Sequence, residues 1–352
     1  LARWCRYISR AYRRTLLVTY RQLIVLAVTV LLCGWMIVRH PPGYYTVEIE
    51  SNRTPLPTGV SASPKETVLR FVGDIMLSRS VGDAMRSRDD WVWPFARIAS
   101  ITSAADLTFG NLETTVSSRG FANGCGFCFR ADPRGMEGLR AAGFDVLSVA
   151  NNHVWDFGLP AFEDTLRYIS ESDMMAVGGG MTIEEARKPH VRVVNGSRIA
   201  FLAYTDILPA SAQATDVRAG AMVYRAASAS EDIVRSRAVA DIVVVSFHTG
   251  TEYELHHSAH QERIYHELID AGADVIIGHH PHVVQDVEQY RGKWIIYSLG
   301  NFVFDQNWSE ETRRGMMLDV HLRDGAISSI ATHSIDISTQ YQPRARELTE
   351  VK

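Results

Sequence analysis

The stretch that most constrains the fold is Gly272–Val284, in which a short apolar run leads directly into a cluster of histidines. Val275–Ile277 has the pattern of a buried strand, and Gly278 is predicted to end it. Reacting groups collect beyond the carboxyl ends of strands in open α/β sheets. Grouped imidazoles suit zinc, iron or manganese, and three follow within four residues: His279, His280 and His282. A polar loop with solvated histidines is the alternative interpretation.

Four other predicted strands end in the same way. They span Val68–Val72, Ala105–Phe109, Phe144–Ala150 and Asp241–Phe247, and helical segments separate them along the chain. The side chains that follow them are acids, amides and imidazoles: Asp74, Asn111, Glu113, Asn152, His153 and His248. Strand ends of this kind converge in a folded sheet, so we expect a mixed oxygen and nitrogen shell for one or two divalent ions.

Each of these residues also has an ordinary structural explanation when it is taken alone. Asp74, for example, is equally suited to cap the helix that follows it. The argument for a metal site therefore rests on the recurrence at five strand ends. Within such a site, His153 is placed to act as a general acid toward a leaving oxygen if it is not itself a ligand.

The first forty residues differ in charge from the rest of the chain. They hold seven of the 36 basic residues and no acidic residue, which leaves 29 basic against 40 acidic residues and a net charge of about −11 elsewhere. This balance argues against a general nucleic-acid binder, because such proteins need a basic face to neutralise phosphates. Leu23–Val38 carries no ionisable side chain, and counting back to Leu16 gives the length of a membrane span.

We therefore expect an uncleaved signal anchor and an external domain. The predicted division is a cytoplasmic basic tail at 1–15, a transmembrane anchor at 16–38, a linker at 39–66, the main domain at 67–340 and a fraying polar tail at 341–352. The arginine-rich flank predicts a single-pass cell-membrane protein with its N-terminus in the cytoplasm and the main domain outside. A cleaved signal peptide and a buried core helix are the alternatives, and no small-x-small cleavage site follows the apolar run.

Cys125 and Cys128 form a Cys-Gly-Phe-Cys segment on the predicted external side. Oxidising conditions there favour a local disulfide, although a loop this short gains little entropic stabilisation. Half of a zinc site and a redox pair remain alternatives, but a second cysteine pair and a thioredoxin context are both missing from the sequence.

Six ordered motifs resemble those of the CapA family of capsule-synthesis proteins, also called poly-γ-glutamate synthesis proteins. The motifs are GDIML, GNLET, ANNHVWDFG, HTGTEYE, GHHPHVVQ and YSLGNFVFD, and they extend from about Thr67 to Ile337. The CapA family belongs to the calcineurin-like metallophosphoesterase superfamily. The resemblance implies an α/β fold of four layers, with two mixed sheets flanked by helices, and a metal centre at the strand ends.

The resemblance also implies roles for individual residues. It makes His153 the general acid and assigns six metal ligands, which are Asp74, Glu113, Asn152, His248, His280 and His282. It places five residues in contact with these ligands or with substrate, namely Asn111, Glu252, Tyr253, His279 and Asn301. Three positions depart from the wider pattern: Met76 replaces the first-motif histidine of phosphoesterases, Asn111 with Glu113 replaces a bridging aspartate, and Thr249 stands where the family often has tryptophan.

Three functions are compatible with this resemblance. The first is a tethered component of capsule or poly-γ-glutamate synthesis or export, acting with polymer synthase subunits and an anionic polymer. The second is an extracytoplasmic hydrolase of cell-envelope phosphoesters, amides or esters that uses manganese, iron or zinc. The third is a non-catalytic scaffold, which Met76 favours. An anionic polymer needs a basic groove, and six arginines near the early motifs either form one or are simply solvated: Arg79, Arg86, Arg88, Arg119, Arg130 and Arg134.

Overall fold

The computed structural model describes residues 66–351, with side-chain surroundings described up to residue 346. The predicted anchor at 16–38 and almost all of the predicted linker lie outside this range. Among the described residues, no helix is both long enough and apolar enough to cross a membrane.

Eighteen strands are found in the described part of the chain. In chain order they are β1 Thr67–Ile75, β2 Leu107–Leu112, β3 Thr115–Val116, β4 Arg130–Ala131, β5 Val146–Ser148, β6 Met175–Val177, β7 Gly179–Gly180, β8 His190–Val194, β9 Ser197–Thr205, β10 Gly220–Ala221, β11 Ile242–His248, β12 Val275–His279, β13 Val287–Tyr290, β14 Lys293–Ile296, β15 Asn301–Val303, β16 Arg314–Arg323, β17 Ala326–Ile337 and β18 Pro343–Val351.

Seven α-helices accompany these strands within residues 66–351. They are α1 Arg79–Arg88, α2 Ala99–Thr102, α3 Met136–Ala141, α4 Gly158–Glu171, α5 Ile183–Arg187, α6 Ala226–Arg237 and α7 Ala259–Asp270. Single 3₁₀ turns occur at Trp93–Phe95, Pro133–Gly135, Ala210–Ala212 and Glu311–Arg313. The turn at Pro133–Gly135 leads directly into α3.

Two large mixed sheets organise the domain. The first has the strand order β18-β17-β16-β1-β2-β5-β6, with β15 also paired to β1, and the second has the order β13-β14-β12-β11-β9-β8. In the first sheet β1, β2, β5 and β6 are parallel, and in the second β9, β11, β12 and β14 are parallel. Parallel neighbours place their carboxyl ends at the same edge, which is the property on which the predicted site depends.

The two sheets face each other across a shared apolar cluster. Side chains alternate between the two faces of a strand, so Phe71 and Phe109 of the first sheet meet Phe201 of the second. The Phe109 and Phe201 rings stack with centroids 5.8 Å apart. A second cluster packs α1, α3 and α4 on the outer face of the first sheet, and a third packs α6 and α7 on the outer face of the second. The result is a mixed α/β domain of four layers.

The C-terminal segment differs from the prediction. Residues 341–352 were expected to fray, whereas β18 pairs antiparallel with β17, from Pro343 opposite Ile337 to Val351 opposite Ile330. The polar composition of the segment is the reason for the wrong prediction. An edge strand exposes one side to water and tolerates charged residues, so apolar periodicity does not reveal it.

Candidate metal centre

The site lies where the parallel strands of both sheets end. The first sheet brings Asp74 at the end of β1, Asn111 in β2, Glu113 just after β2, and the loop after β5. The second brings the end of β11 and the end of β12 with its histidine loop. Of the described residues, two groups can place one donor atom each within 4.8 Å of one another: Glu113, His280 and His282, and Asp74, Glu113 and His248. These groups join four of the five predicted strand ends, and the fifth, after β5, brings Asn152 Oδ1 to 2.8 Å from His248 Nε2.

Two glycines allow the strands to approach closely at this edge. A Cβ at Gly73 would lie 1.9 Å from the Gly300 carbonyl oxygen, and one at Gly278 would lie 1.9 Å from the Tyr297 carbonyl oxygen. Because glycine stands at these two positions, β1 continues to Ile75 and β12 to His279, past the ends predicted for both strands. Asp74 is therefore held inside a rigid strand.

Asp74 is fully buried and its oxygens face the site. Asn111 Nδ2 donates to Asp74 Oδ1 over 2.8 Å, and the His280 backbone N–H donates to Oδ2 over 3.3 Å. Burial alone would raise the Asp74 pKa, but His279 and His282 outweigh it and hold that pKa well below its usual value. Asp74 does not cap α1, because the N-cap residue is Ser78.

Glu113 occupies the centre of the arrangement. Its Oε1 lies 3.7 Å from Nε2 of His248, 3.7 Å from Nε2 of His282 and 3.9 Å from Nε2 of His153. Both carboxyl oxygens are buried and have no hydrogen-bond partner among the described residues. Burial, followed by the negative charge of Asp74, raises the Glu113 pKa well above its usual value. A divalent cation would reverse that preference and give both oxygens a partner.

Two amides support His248 from the first sheet. Asn152 Oδ1 lies 2.8 Å from His248 Nε2, and Asn111 Nδ2 lies 3.2 Å from His248 Nδ1. Burial, with a smaller contribution from His280, lowers the His248 pKa well below its usual value. The imidazole is therefore held neutral, which is the form that binds a metal.

The histidine loop after β12 is held in an unusual backbone conformation. His280 has φ +101° and His282 has φ +60°, a region that residues other than glycine seldom adopt. His282 Nδ1 lies 3.0 Å from Asn301 Oδ1, which leaves its Nε2 facing Glu113. Burial and the charge of His282 lower the His280 pKa to about 4, and His280 Nδ1 is buried with no partner among the described residues.

His153 is oriented for proton transfer. Its Nδ1 lies 2.8 Å from Asp156 Oδ2, and that carboxylate oxygen also accepts the Phe129 backbone N–H over 2.7 Å. The Phe129 ring stacks on the imidazole with centroids 3.8 Å apart. A carboxylate on Nδ1 fixes the tautomer, so Nε2 faces the centre of the site.

Residues from the loop after β11 reach the rim of the site. The Tyr253 backbone N–H donates to the Pro281 carbonyl over 2.8 Å, which ties that loop to the histidine loop. The Tyr253 and His282 ring centroids are 6.2 Å apart, and burial, with a smaller effect of Glu252, raises the Tyr253 pKa. His279 is fully buried with Nδ1 3.2 Å from Asp74 Oδ1, beside the group that it was expected to contact.

Three features of the site bear on sequence reasoning. Asn151 was missed, although its Nδ2 donates to Asn111 Oδ1 and to the Leu112 carbonyl, and Asp156 was missed as the partner of His153. The three-residue spacing between His153 and Asp156 was the signal for that contact. Met76, at the position where the resemblance led us to compare the chain with a phosphoesterase histidine, is fully buried, and its sulfur accepts hydrogen bonds from Ser78. Cys125 and Cys128 form a disulfide within the β3–β4 connection.

Sequence comparison identifies a matching protein family and named relatives in two Bacillus species. The model of the bacterial capsule synthesis protein family PGA_cap matches residues 68–306. The chain is 34% identical over 284 residues to the capsule biosynthesis protein CapA of Bacillus anthracis, covering 78% of this chain and 68% of that protein. It is 33% identical over 271 residues to the PGA biosynthesis protein CapA of Bacillus subtilis, covering 76% and 70%.

More distant similarity is found among solved structures. The 5′-nucleotidase precursor of Thermus thermophilus matches with TM-score 0.35 and 13% identity over 82% of this chain and 54% of that one. The NAD nucleotidase of Haemophilus influenzae matches with TM-score 0.38 and 10% identity over 81% and 49%. The chain thus spans about half the length of either nucleotidase. TM-scores this low carry no argument, and the fold rests on the topology described above.

Proposed function

Because the chain belongs to the bacterial capsule synthesis protein family PGA_cap, we propose that it takes part in producing a capsule or poly-γ-glutamate at the cell surface. In this proposal the N-terminal segment anchors the chain in the cell membrane, and the domain at 66–351 works outside it beside synthase or export subunits. The domain contributes a divalent metal centre that hydrolyses a bond in the polymer or in another envelope substrate.

The residues present fit a metal ion. Two carboxylates, one amide oxygen and three imidazoles make up the proposed ligand set, and this mixture suits manganese, iron or zinc better than calcium. The set is Asp74, Glu113, Asn152, His248, His280 and His282. Asn111, His279 and Asn301 contact these ligands directly, and Asn151 in turn donates a hydrogen bond to Asn111. When bound, such an ion lowers the pKa of a water molecule and polarises the group under attack.

The protein's own contribution to the reaction is orientation and proton transfer. Asp156 and Phe129 fix the His153 ring with Nδ1–H on the carboxylate, so the imidazolium form presents its Nε2 proton to the site and can protonate a leaving oxygen or nitrogen. Tyr253, Glu252 and the histidine loop border the side from which a substrate approaches. The fixed His153 favours a hydrolase over a purely structural scaffold, because a scaffold has no need of an oriented proton donor beside the ligands.

One observation carries the metal proposal: both Glu113 oxygens are buried without a hydrogen-bond partner in the described structure, between three imidazoles. Leaving such a group unpaired costs about 1–3 kcal/mol, more if it is charged, so a native protein keeps it for a purpose. The decisive test is the metal content of the purified full chain and of His280→Ala. We expect near-stoichiometric manganese, iron or zinc that falls sharply in the variant.

The controls separate the metal from the fold. His256→Ala, at an exposed histidine that lies 3.4 Å from Asp286, should keep the wild-type metal content. A folded wild-type chain that contains no metal and is not thermally stabilised by added ions would contradict the metal centre and leave the scaffold function. With metal present, loss of activity toward phosphoester or γ-glutamyl substrates in His153→Gln, without loss of metal, would support hydrolysis.

The cellular part of the proposal needs its own measurement. Deleting the gene should reduce surface polymer, and restoring it with the His280→Ala form should fail even though that form reaches the membrane fraction. Recovery of full polymer with the His280→Ala form would support a scaffold role for the domain. A chain found in the cytosolic fraction would contradict the anchor.

A further inference from the structure

The six arginines near the early motifs differ in the hydrogen bonds that their side chains make. Five of them make hydrogen bonds with protein groups: Arg86 with Asp83, Arg88 with the Ala84 carbonyl, Arg119 with Asp164, Arg130 with the Gly120 carbonyl, and Arg134 with Asp132. Arg79 differs. Within residues 66–351 its guanidinium makes one ion pair, 3.1 Å from Asp305 Oδ1, and no hydrogen bond. A guanidinium has five N–H donors, so Arg79 keeps most of them for another partner.

Arg79 is also the arginine that lies beside the metal centre. Its guanidinium carbon stands 5.2 Å from the centre of the Phe129 ring, and that ring stacks on His153. Its partner Asp305 follows Phe304, whose ring is 4.7 Å from that of His282. Arg79 is therefore one ring away from the proposed general acid, and its side chain remains 31% exposed.

Three fixed contacts determine where this guanidinium points. Phe127, in the disulfide-closed loop, lies on the guanidinium at 5.6 Å from ring centre to carbon, and Phe129 lies at 5.2 Å. Asp305 holds Arg79 and also accepts the Ser80 backbone N–H over 3.2 Å. Arg79 itself has φ +49°, an unfavourable conformation for a residue with a side chain. This combination holds a partly exposed cation one ring away from His153.

The surroundings of Arg79 are acidic. Asp74, Glu113, Asp156, Glu252 and Asp305 all lie in or around the centre, as their mutual effects on pKa and their contacts show. A bound divalent ion offsets the ligand carboxylates, but Asp156, Glu252 and Asp305 still repel an anionic substrate unless a further cation lies beside them. Guanidinium is suited to that task because its fork matches the two oxygens of a carboxylate or phosphate.

We propose that Arg79 binds an oxyanion group of the substrate, a carboxylate or a phosphate, next to the bond on which the metal centre acts. Arg79 is thus a specificity-determining residue, and it favours substrates with a negative group close to the reacting bond. A γ-linked glutamate chain has such a carboxylate beside each amide, and a phosphoester has its own oxyanion. The inference rests on the proposed metal centre and adds the charge of the substrate to it.

The test is a calorimetric titration of the full chain loaded with Mn²⁺, with two probes used separately: inorganic phosphate and a γ-linked glutamate tetramer. We expect Arg79→Gln to weaken the binding of at least one probe by tenfold or more. Arg79→Lys should give an intermediate loss, because it keeps the charge and loses the fork. Arg86→Gln, on the same helix and paired with Asp83, should bind within twofold of wild type.

The two probes distinguish the sources of the oxyanion. A loss confined to the tetramer identifies a carboxylate, and a loss confined to phosphate identifies a phosphate group. Binding of both probes within twofold of wild type in Arg79→Gln overturns the inference, as does a metal-loaded wild type that binds neither probe. Metal content is measured in every variant. If Arg79→Gln loses metal or secondary structure, the binding of both probes to Arg79→Lys is compared with wild type instead. Binding of both probes within twofold of wild type in Arg79→Lys then overturns the inference.

These measurements distinguish a failure of the proposed role of Arg79 from a failure of the proposed metal centre. Normal metal content with Arg79-independent binding overturns the role of Arg79 and leaves the centre intact. A wild-type chain without metal overturns both. Arg79→Gln should leave metal content unchanged, because none of the contacts described for Arg79 reaches a ligand atom directly.

Discussion

The two sheets contribute different chemistry to the same site. The first sheet supplies carboxylate and amide oxygens from the ends of β1, β2 and β5, whereas the second supplies imidazole nitrogens from the ends of β11 and β12. Neither sheet alone supplies the mixture of oxygen and nitrogen ligands proposed here for manganese, iron or zinc. The proposed metal centre therefore requires the inter-sheet core to hold the two halves in register, and we expect metal affinity to depend on the packing between the sheets.

The largest expected effect comes from breaking that packing. Phe109 is fully buried, 5.6 Å from the Phe71 ring and 5.8 Å from the Phe201 ring of the opposite sheet. Phe109→Ala should lower the free energy of unfolding by about 3–5 kcal/mol and weaken metal binding, although it touches no ligand. Urea unfolding and a chelator competition measure the two quantities. Phe121→Ala, at a 91% exposed ring, is the control and should change neither.

The next effect concerns the amide that joins the halves. Asn111 Nδ2 donates to Asp74 of the first sheet and lies 3.2 Å from His248 of the second. Asn111→Ala should weaken metal binding by about 10–100-fold, because residues that orient ligands have effects of that size. Asn307→Ala, at an exposed amide bonded to the Thr339 carbonyl, is the matched control. Unchanged affinity in Asn111→Ala would show that the two halves are aligned without it.

A smaller effect on the free energy of unfolding should differ in sign between the metal-free and the metal-loaded protein. Glu113→Met replaces two buried, partnerless oxygens of the first sheet by an apolar chain of similar length. We expect the metal-free protein to gain on the order of 1 kcal/mol in unfolding free energy, since an unsatisfied buried group is removed. The stabilisation by added Mn²⁺ should disappear. Unfolding with chelator and with Mn²⁺ gives both values, and destabilisation of the metal-free form would contradict the argument.

The pH dependence of stability tests a buried carboxylate that does have partners. Asp319 of the first sheet accepts hydrogen bonds from Arg70 at 2.6 and 2.7 Å, and His333 Nε2 lies 3.1 Å away. Burial opposes ionisation, but Arg70 outweighs it and lowers the Asp319 pKa. A lowered folded pKa gives stability that is present above the unfolded value near 4 and is lost as pH falls through the folded pKa.

Asp319→Asn should therefore reduce stability at pH 7 and flatten the loss of stability below about pH 4. Urea unfolding of the metal-free protein at pH 7, 5, 4 and 3 measures this dependence. If the unfolding free energy of Asp319→Asn falls with decreasing pH as steeply as that of wild type, Asp319 does not contribute to the loss of stability in acid.

The buried parallel strands could be predicted because each leaves a continuous apolar run in the sequence. The histidine cluster could be predicted because its three histidines directly follow one of these runs. The tight turns between β8 and β9 and between β16 and β17 follow from local chemistry, since Asn195-Gly196 and Asp324-Gly325 adopt the positive φ values that such turns require. The convergence of Asp74, Glu113 and His248 was predicted from the recurrence of polar side chains at strand ends, and the resemblance to a family agreed with it.

The contacts that refine the site could not be predicted in the same way. The Asn111–Asn151 bond joins residues 40 positions apart, and the ring contact between Phe129 and His153 joins residues 24 apart in irregular segments. Such contacts depend on side-chain packing, and one sequence carries no periodic signal for them. The four unusual φ values at the site, at Arg79, Tyr253, His280 and His282, belong to the same class, because no glycine marks them.

The edge strand β18 has a practical consequence for handling this domain. A chain trimmed at residue 340, where the sequence suggests the domain ends, would leave the outer edge of β17 with a row of unpaired backbone N–H and C=O groups. Charged residues and proline at an edge hinder pairing between molecules, and β18 carries Pro343, Arg344, Arg346, Glu347 and Glu350, so the trimmed domain should self-associate at concentrations where the full chain does not. We therefore expect β18 to protect the edge of the first sheet from pairing between molecules.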